Sequence, residues 1–102
     1  MKEIFWNSRG LADLAKRRFL AETTVEQQLD FIALLETRRD SFTSQFLGSL
    51  SGGVDFDWHV LPPRGRSGGI LLGVRYETLE VLNVVRGDFA VKFRLRSKLD
   101  GF

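Results

Sequence analysis

The sequence predicts an α/β fold in which an N-terminal βαβ unit is followed by an antiparallel meander. Three observations carry this expectation. Two short, wholly apolar runs, Ile4-Phe5-Trp6 and Phe31-Ile32-Ala33-Leu34-Leu35, flank a stretch of helical spacing, and from Asp55 onward the pattern changes to period two.

Ile4-Phe5-Trp6 ends at the turn formers Asn7-Ser8-Arg9-Gly10, so it reads as a buried strand whose carboxyl end is Asn7. From Asp13, a suitable N-cap, to about Gln28 the chain reads as a helix. Leu11, Leu14, Ala15, Phe19, Ala21, Val25 and Leu29 form its expected apolar stripe, interrupted by Arg18. The run at 31–35 is short and continuously apolar, as strands covered on both faces tend to be, and it ends at Glu36. Strand, helix and strand in this order predict two parallel strands with their carboxyl ends on one edge of the sheet. Asn7 and Glu36 are therefore expected near one another, at the edge where sites form in parallel sheets.

Phe42, Phe46, Leu47 and Leu50 keep helical spacing until Ser51-Gly52-Gly53 ends a second, short helix. Phe56, Trp58 and Val60 then alternate with Asp55, Asp57 and His59 as a half-exposed strand, closed by Pro62-Pro63. After the loop at 64–69, Ile70-Leu71-Leu72-Gly73-Val74 reads as another buried strand. Residues 79–85 and 89–95 complete the meander around the turn Arg86-Gly87-Asp88. Asp100-Gly101 is a hairpin-turn signal and Phe102 would open a further strand, so the chain reads as one truncated domain over 1–102 whose last strand is an open edge.

Composition bounds the function. At 102 residues, with 43% hydrophobic and 12% aromatic content, the chain is long enough for one small globular core and too apolar to be disordered. Fifteen basic against 13 acidic residues give +2, too balanced for bulk charge to signal nucleic-acid binding. The absence of cysteine excludes disulfides, a thiol nucleophile and cysteine-type zinc clusters. With no signal-peptide pattern and no run of membrane-spanning length, the chain reads as soluble and intracellular, with no membrane partner.

Several constellations have a bland and a sharp reading. Gly65-Arg66-Ser67-Gly68-Gly69 satisfies G-x-S-x-G, but a nucleophile elbow needs a strand before it, a helix after it and a histidine downstream. Here a strand follows and His59, the only histidine, lies upstream, so the segment reads as a turn. His59 shares a face with Asp55 and Asp57, either as a metal site or, preferably, as a solvated strand face. Lys92, Arg94, Arg96 and Lys98 point one way, opposite Val91, Phe93 and Leu95. The row either meets phosphates or, preferably, protects a solvated edge from aggregation. Glu36 closes a fully apolar strand, where a carboxylate is costly unless it is solvated, paired or bound to a cation. It is a metal-ligand candidate or a partner of Arg38 or Arg39.

Ile4-Phe5-Trp6-Asn7-Ser8-Arg9-Gly10-Leu11, Phe31-Ile32-Ala33-Leu34-Leu35-Glu36-Thr37 and Gly65-Arg66-Ser67-Gly68-Gly69-Ile70-Leu71-Leu72-Gly73, in this order, resemble the endonucleases of plant LINE-type retrotransposons. These belong to the DNase I-like endonuclease/exonuclease/phosphatase superfamily, and the resemblance covers essentially the whole chain. It implies a partial four-layer α/β sandwich and, in the complete domain, magnesium- or manganese-dependent hydrolysis of DNA phosphodiesters. By the same resemblance Asn7 helps organise the scissile phosphate and Glu36 is a ligand of the catalytic metal. The family usually has Gln where this chain has Leu35, and Val or Ile where it has Ser8. The family's tyrosine, its Asp and Asn pair and its terminal Asp and His pair come later than Phe102. The chain is thus expected to supply the metal-binding corner only, and to be inactive or nearly so alone. A target-nicking relative has to reach nuclear DNA, and no localisation signal is visible. The competing expectations are a retained remnant that binds nucleic acid or protein through the row Lys92, Arg94, Arg96 and Lys98, and a functionless product of a degenerate element.

Overall fold

The apolar runs at 31–35 and 70–74 become the central strands of a four-stranded sheet, whereas Ile4-Phe5-Trp6, expected as a buried strand, forms an edge strand covered on its helix side only, with Phe5 60% exposed. The computed structural model describes residues 1–65, 68–87 and 90–99. Its elements are β1 (Glu3–Asn7), α1 (Leu14–Glu26), β2 (Phe31–Leu35), α2 (Ser44–Leu50), β3 (Phe56–Leu61), β4 (Ile70–Arg75), β5 (Leu79–Arg86) and β6 (Val91–Ser97). The first sheet has the order β1-β2-β4-β3 and the second is the pair β5-β6. β1 and β2 are parallel, as the βαβ reading requires, with Asn7 opposite Leu35. β4 is antiparallel to both β2 and β3.

Side-chain alternation across these strands separates two cores. Ile32 and Leu34 of β2, Leu71 of β4 and Phe56 of β3 join Leu11, Leu20, Leu29 and Leu50 on the helix face. Phe31, Ala33, Leu61, Leu72 and Val74 occupy the other face, under Leu79 and the inward residues Val81, Val84, Val91, Phe93 and Leu95 of the hairpin β5-β6. The layers are therefore helices, four-stranded sheet and two-stranded sheet. β2 and β4 are buried on both faces because both cores close over them, and each large side chain so buried contributes about 1.5–3 kcal/mol.

Two further sequence expectations are corrected. The meander does not continue in one sheet. At Tyr76-Glu77-Thr78 the chain turns, Thr78 N–H donating to the Arg75 carbonyl at 3.2 Å, and β5 leaves to pair, among the described strands, with β6. The apolar stripe assigned to α1 is also not its buried face. Asp13 does cap the helix, accepting from the N–H groups of Ala15 and Lys16. The fully buried helical residues, however, are Leu20 and Thr24, while Leu14, Phe19 and Val25 stay about half exposed. Thr24 is tolerated there because its hydroxyl donates to the Leu20 carbonyl at 2.8 Å.

Glycine and arginine fix the remaining contacts. Gly73 lies opposite Trp58, and a Cβ at this position would come within 2.5 Å of the indole, so only glycine lets the ring lie flat on β4. Phe46 of α2 receives the guanidinium groups of Arg17 and Arg39 at 5.0 and 4.5 Å from its ring centre, tying α2 to α1 and to the loop after β2. At the amino end of β2, Asp30 accepts from the Lys2 N–H at 3.0 Å and the Thr78 hydroxyl at 2.7 Å, and it faces Arg75 at 3.9 Å. The hairpin tip is held over the opposite end of the sheet, where Arg86 donates to the Pro62 carbonyl and Arg64 to that of Gly87. The expected turn residue Asp88, its neighbour Phe89, and Asp100-Gly101-Phe102 lie outside the described residues, as do Arg66 and Ser67 of the G-x-S-x-G segment.

Candidate functional site

The carboxyl edge of the first sheet collects the ends of β1, β2 and β3 and the start of the antiparallel β4. The loops at 8–13 and 36–43, residues 62–65 and the pair Gly68-Gly69 therefore meet there. Ser8 is buried and stitches the first two: its N–H donates to the Leu35 carbonyl at 2.9 Å and its hydroxyl to the same oxygen at 2.8 Å. This satisfies the end of β2, a task that an apolar residue at this position would leave to the backbone alone. Gly10 N–H follows by donating to the Glu36 carbonyl at 2.7 Å. Asn7 and Glu36 are thus brought to adjoining positions, as the parallel strand pair requires.

Their local environments differ. Asn7 is exposed, and its Oδ1 accepts from the Arg9 N–H at 3.2 Å in an Asx turn. That bond leaves the Asn7 amide NH2 as the group able to donate to an acceptor outside the chain. Glu36 sits at φ +54°, in the left-handed region that a residue with a Cβ seldom adopts. Arg38, two residues on, has φ +59°, so the chain leaves β2 through two unfavourable conformations. Among the described residues no hydrogen bond or ion pair engages the Glu36 carboxylate. Arg39 instead stacks on Phe46, and the pairing with Arg38 or Arg39 considered above does not occur.

What holds Glu36 in this conformation is the glycine pair before β4. Thr37 N–H donates to the Gly69 carbonyl at 3.2 Å and Arg38 N–H to that of Gly68. A Cβ on Gly68 would stand 3.1 Å from the Glu36 Cα, and one on Gly69, at φ +92°, 2.9 Å from the Thr37 hydroxyl. The Gly68-Gly69 half of the G-x-S-x-G segment is therefore a support for the strand end carrying Glu36. Sequence reasoning missed this role, because the motif shows that a turn exists and not what the turn rests on. It also missed Thr37, whose hydroxyl is buried with no hydrogen-bond partner among the described residues.

Beside this edge an open cleft of about 530 Å³ is lined by Arg38, Arg39, Asp40, Ser41, Pro62 and Pro63. Among the described residues no group of three or more histidine, aspartate or glutamate side chains comes together. Among the described residues His59 bonds to Asp57 alone, at 3.3 Å along β3. The cationic row on β6 lies elsewhere, on the face opposite Val91, Phe93 and Leu95, and it is divided. Arg96 is ion-paired to Glu80, and Lys98 donates to the Tyr76 carbonyl at 2.6 Å and covers its ring, whereas Lys92 and Arg94 are exposed without a described partner. No helix among the described residues is long and apolar enough to cross a membrane. Comparison of the chain with protein-family models, with curated proteins and with solved structures finds no match.

Proposed function

We propose that this chain forms the metal-binding corner of a magnesium-dependent phosphodiesterase domain acting on DNA, the activity implied by its resemblance to DNase I-like endonucleases. The observation that carries the reading is the Glu36 carboxylate, held at the shared end of two parallel strands beside Asn7 and left without a partner among the described residues. The layering of helices, sheet and second sheet supports it as one part of a four-layer sandwich.

The donor set fits a hard cation. Magnesium is commonly held by one or two carboxylates together with substrate phosphates and keeps several waters, so Glu36 would be the protein anchor at this edge. When bound, the ion polarises the phosphodiester and stabilises the charge that develops on it. Glu36 would hold the ion, and the Asn7 NH2 would donate to a non-bridging phosphate oxygen. Gly68 and Gly69 fix where the carboxylate stands. Of the family's catalytic residues the resemblance carries over only Asn7 and Glu36, so the chain alone is expected to be inactive or nearly so.

The test uses the purified chain in two measurements. Magnesium is expected to raise the thermal unfolding midpoint of the wild type and to leave that of Glu36→Gln unmoved. Supercoiled DNA with magnesium is expected to be nicked only at background rate, and nicking lost in Glu36→Ala would overturn the claim of inactivity. A second reading rests on the exposed Lys92 and Arg94: a remnant that binds nucleic acid through β6. Salt-sensitive DNA binding that is abolished by neutralising Lys92, Arg94 and Arg96 but indifferent to Glu36→Ala would favour it.

A further inference from the structure

Successive carbonyls of an extended strand point to opposite sides. At the end of β2 they do not. The Leu35 carbonyl accepts from the Ser8 N–H at 2.9 Å and from the Ser8 hydroxyl at 2.8 Å. The next carbonyl, that of Glu36, accepts from the Gly10 N–H at 2.7 Å and stands 3.5 Å from the same hydroxyl. Both carbonyls flanking Glu36 therefore turn toward the loop after β1, and the left-handed φ of +54° at Glu36 is what brings them to one side.

Among the described residues the Ser8 hydroxyl is the one side-chain donor that reaches these two oxygens. Ser8 is 1% exposed, so solvent does not take its place. The other buried hydroxyls that have a partner serve their own element: Thr24 donates to Leu20 within α1, and Ser51 to Gly48 and Val54 around the end of α2. Ser8 instead bridges two strand ends, at the residue whose backbone a Cβ disfavours. The glycine pair bears on the opposite flank, where the N–H groups of Thr37 and Arg38 meet the carbonyls of Gly69 and Gly68. That contact holds the chain after Glu36, while the peptide before it is gripped by Ser8.

We propose that Ser8 is the positioning residue of this edge: its hydroxyl clamps the two carbonyls flanking Glu36, keeps that residue left-handed, and so sets where its carboxylate stands. The consequence for a bound cation rests on the metal reading of Glu36, and the clamp itself does not.

The test compares Ser8→Ala with Thr24→Ala, which also removes a buried hydroxyl bonded to a carbonyl at 2.8 Å, but inside α1. Two readouts are taken on the isotope-labelled chain. One is the strong intraresidue amide-to-Hα cross-peak that a positive φ gives Glu36, and the other is manganese affinity from paramagnetic broadening at the Glu36 amide. Ser8→Ala is expected to weaken the cross-peak and to lower manganese affinity about 10-fold, as loss of a ligand's support does. Ser8→Cys, which fills the same space with a poorer donor, should fall between and carries the test if Ser8→Ala does not fold. Thr24→Ala is expected to lower the unfolding midpoint and leave both readouts at their wild-type values. Serine variants that match Thr24→Ala in both readouts would overturn the proposal and reduce Ser8 to packing. A weakened cross-peak with unchanged manganese affinity would overturn the claim that the clamp places the carboxylate. Wild-type broadening that persists in Glu36→Gln would instead sink the metal reading, and the cross-peak would then decide the clamp by itself.

Discussion

Glu36 carries a cost that stability alone does not explain, a left-handed backbone at the end of an apolar strand, and its partly exposed carboxylate has no described partner. Strain of this kind, of order 1–3 kcal/mol, persists where the surroundings over-determine it, and Gly68 and Gly69 are those surroundings. Gly69→Ala, at φ +92° against Thr37 and Pro63, is expected to destabilise the fold by about 1–3 kcal/mol in denaturant unfolding. Gly68→Ala pushes on the Glu36 backbone and should lower magnesium affinity on the order of 10-fold, as loss of a ligand's support does, with the strand amide shifts preserved. Thr37→Val removes an unpartnered buried hydroxyl and should be neutral or stabilising by about 1 kcal/mol. Destabilisation beyond about 2 kcal/mol would show that the hydroxyl has a partner. The adjacency of Asn7 and Glu36 was legible in the sequence, because both end apolar runs in a βαβ order. The positive φ of Glu36 and the role of Gly68 were not, since neither is encoded by residue type at the position itself.

At the scale of elements, period two was a sound guide and period 3.6 was not. β2, β4 and β6 follow the burial that their continuous apolarity or alternation predicts, because a strand offers only two faces, whereas β3 loses its alternation from His59 onward and β1, at the sheet edge, leaves Phe5 exposed. α1 carries apolar residues around most of its circumference, so the sequence allowed more than one stripe, and packing against β1, β2 and α2 selected Leu20 and Thr24. Leu20→Ala is therefore expected to cost about 2–5 kcal/mol in chemical denaturation, and Leu14→Ala, at an exposed position, less than about 0.5 kcal/mol. Equal effects of the two would return the helix to the stripe first read from its sequence. The departure of β5 from the sheet was likewise hidden, because Tyr76-Glu77-Thr78 reads as an ordinary turn and does not announce a change of sheet.

For the whole molecule, the two ends of the first sheet differ. Asp30, with Lys2, Arg75 and Thr78, closes the amino end of β2 through satisfied bonds, whereas the carboxyl end, though stitched by Ser8 and Gly10, gathers left-handed backbone, an open cleft and a carboxylate unpaired among the described residues. The measurement that separates a metal corner from a strained loop is manganese titrated into the isotope-labelled chain, with paramagnetic broadening read at each amide. Broadening centred on Asn7, Ser8, Glu36, Thr37 and Gly68, and abolished in Glu36→Gln, is the predicted result. Broadening spread over surface carboxylates such as Asp55 and Asp57, or unchanged in Glu36→Gln, would contradict the metal corner.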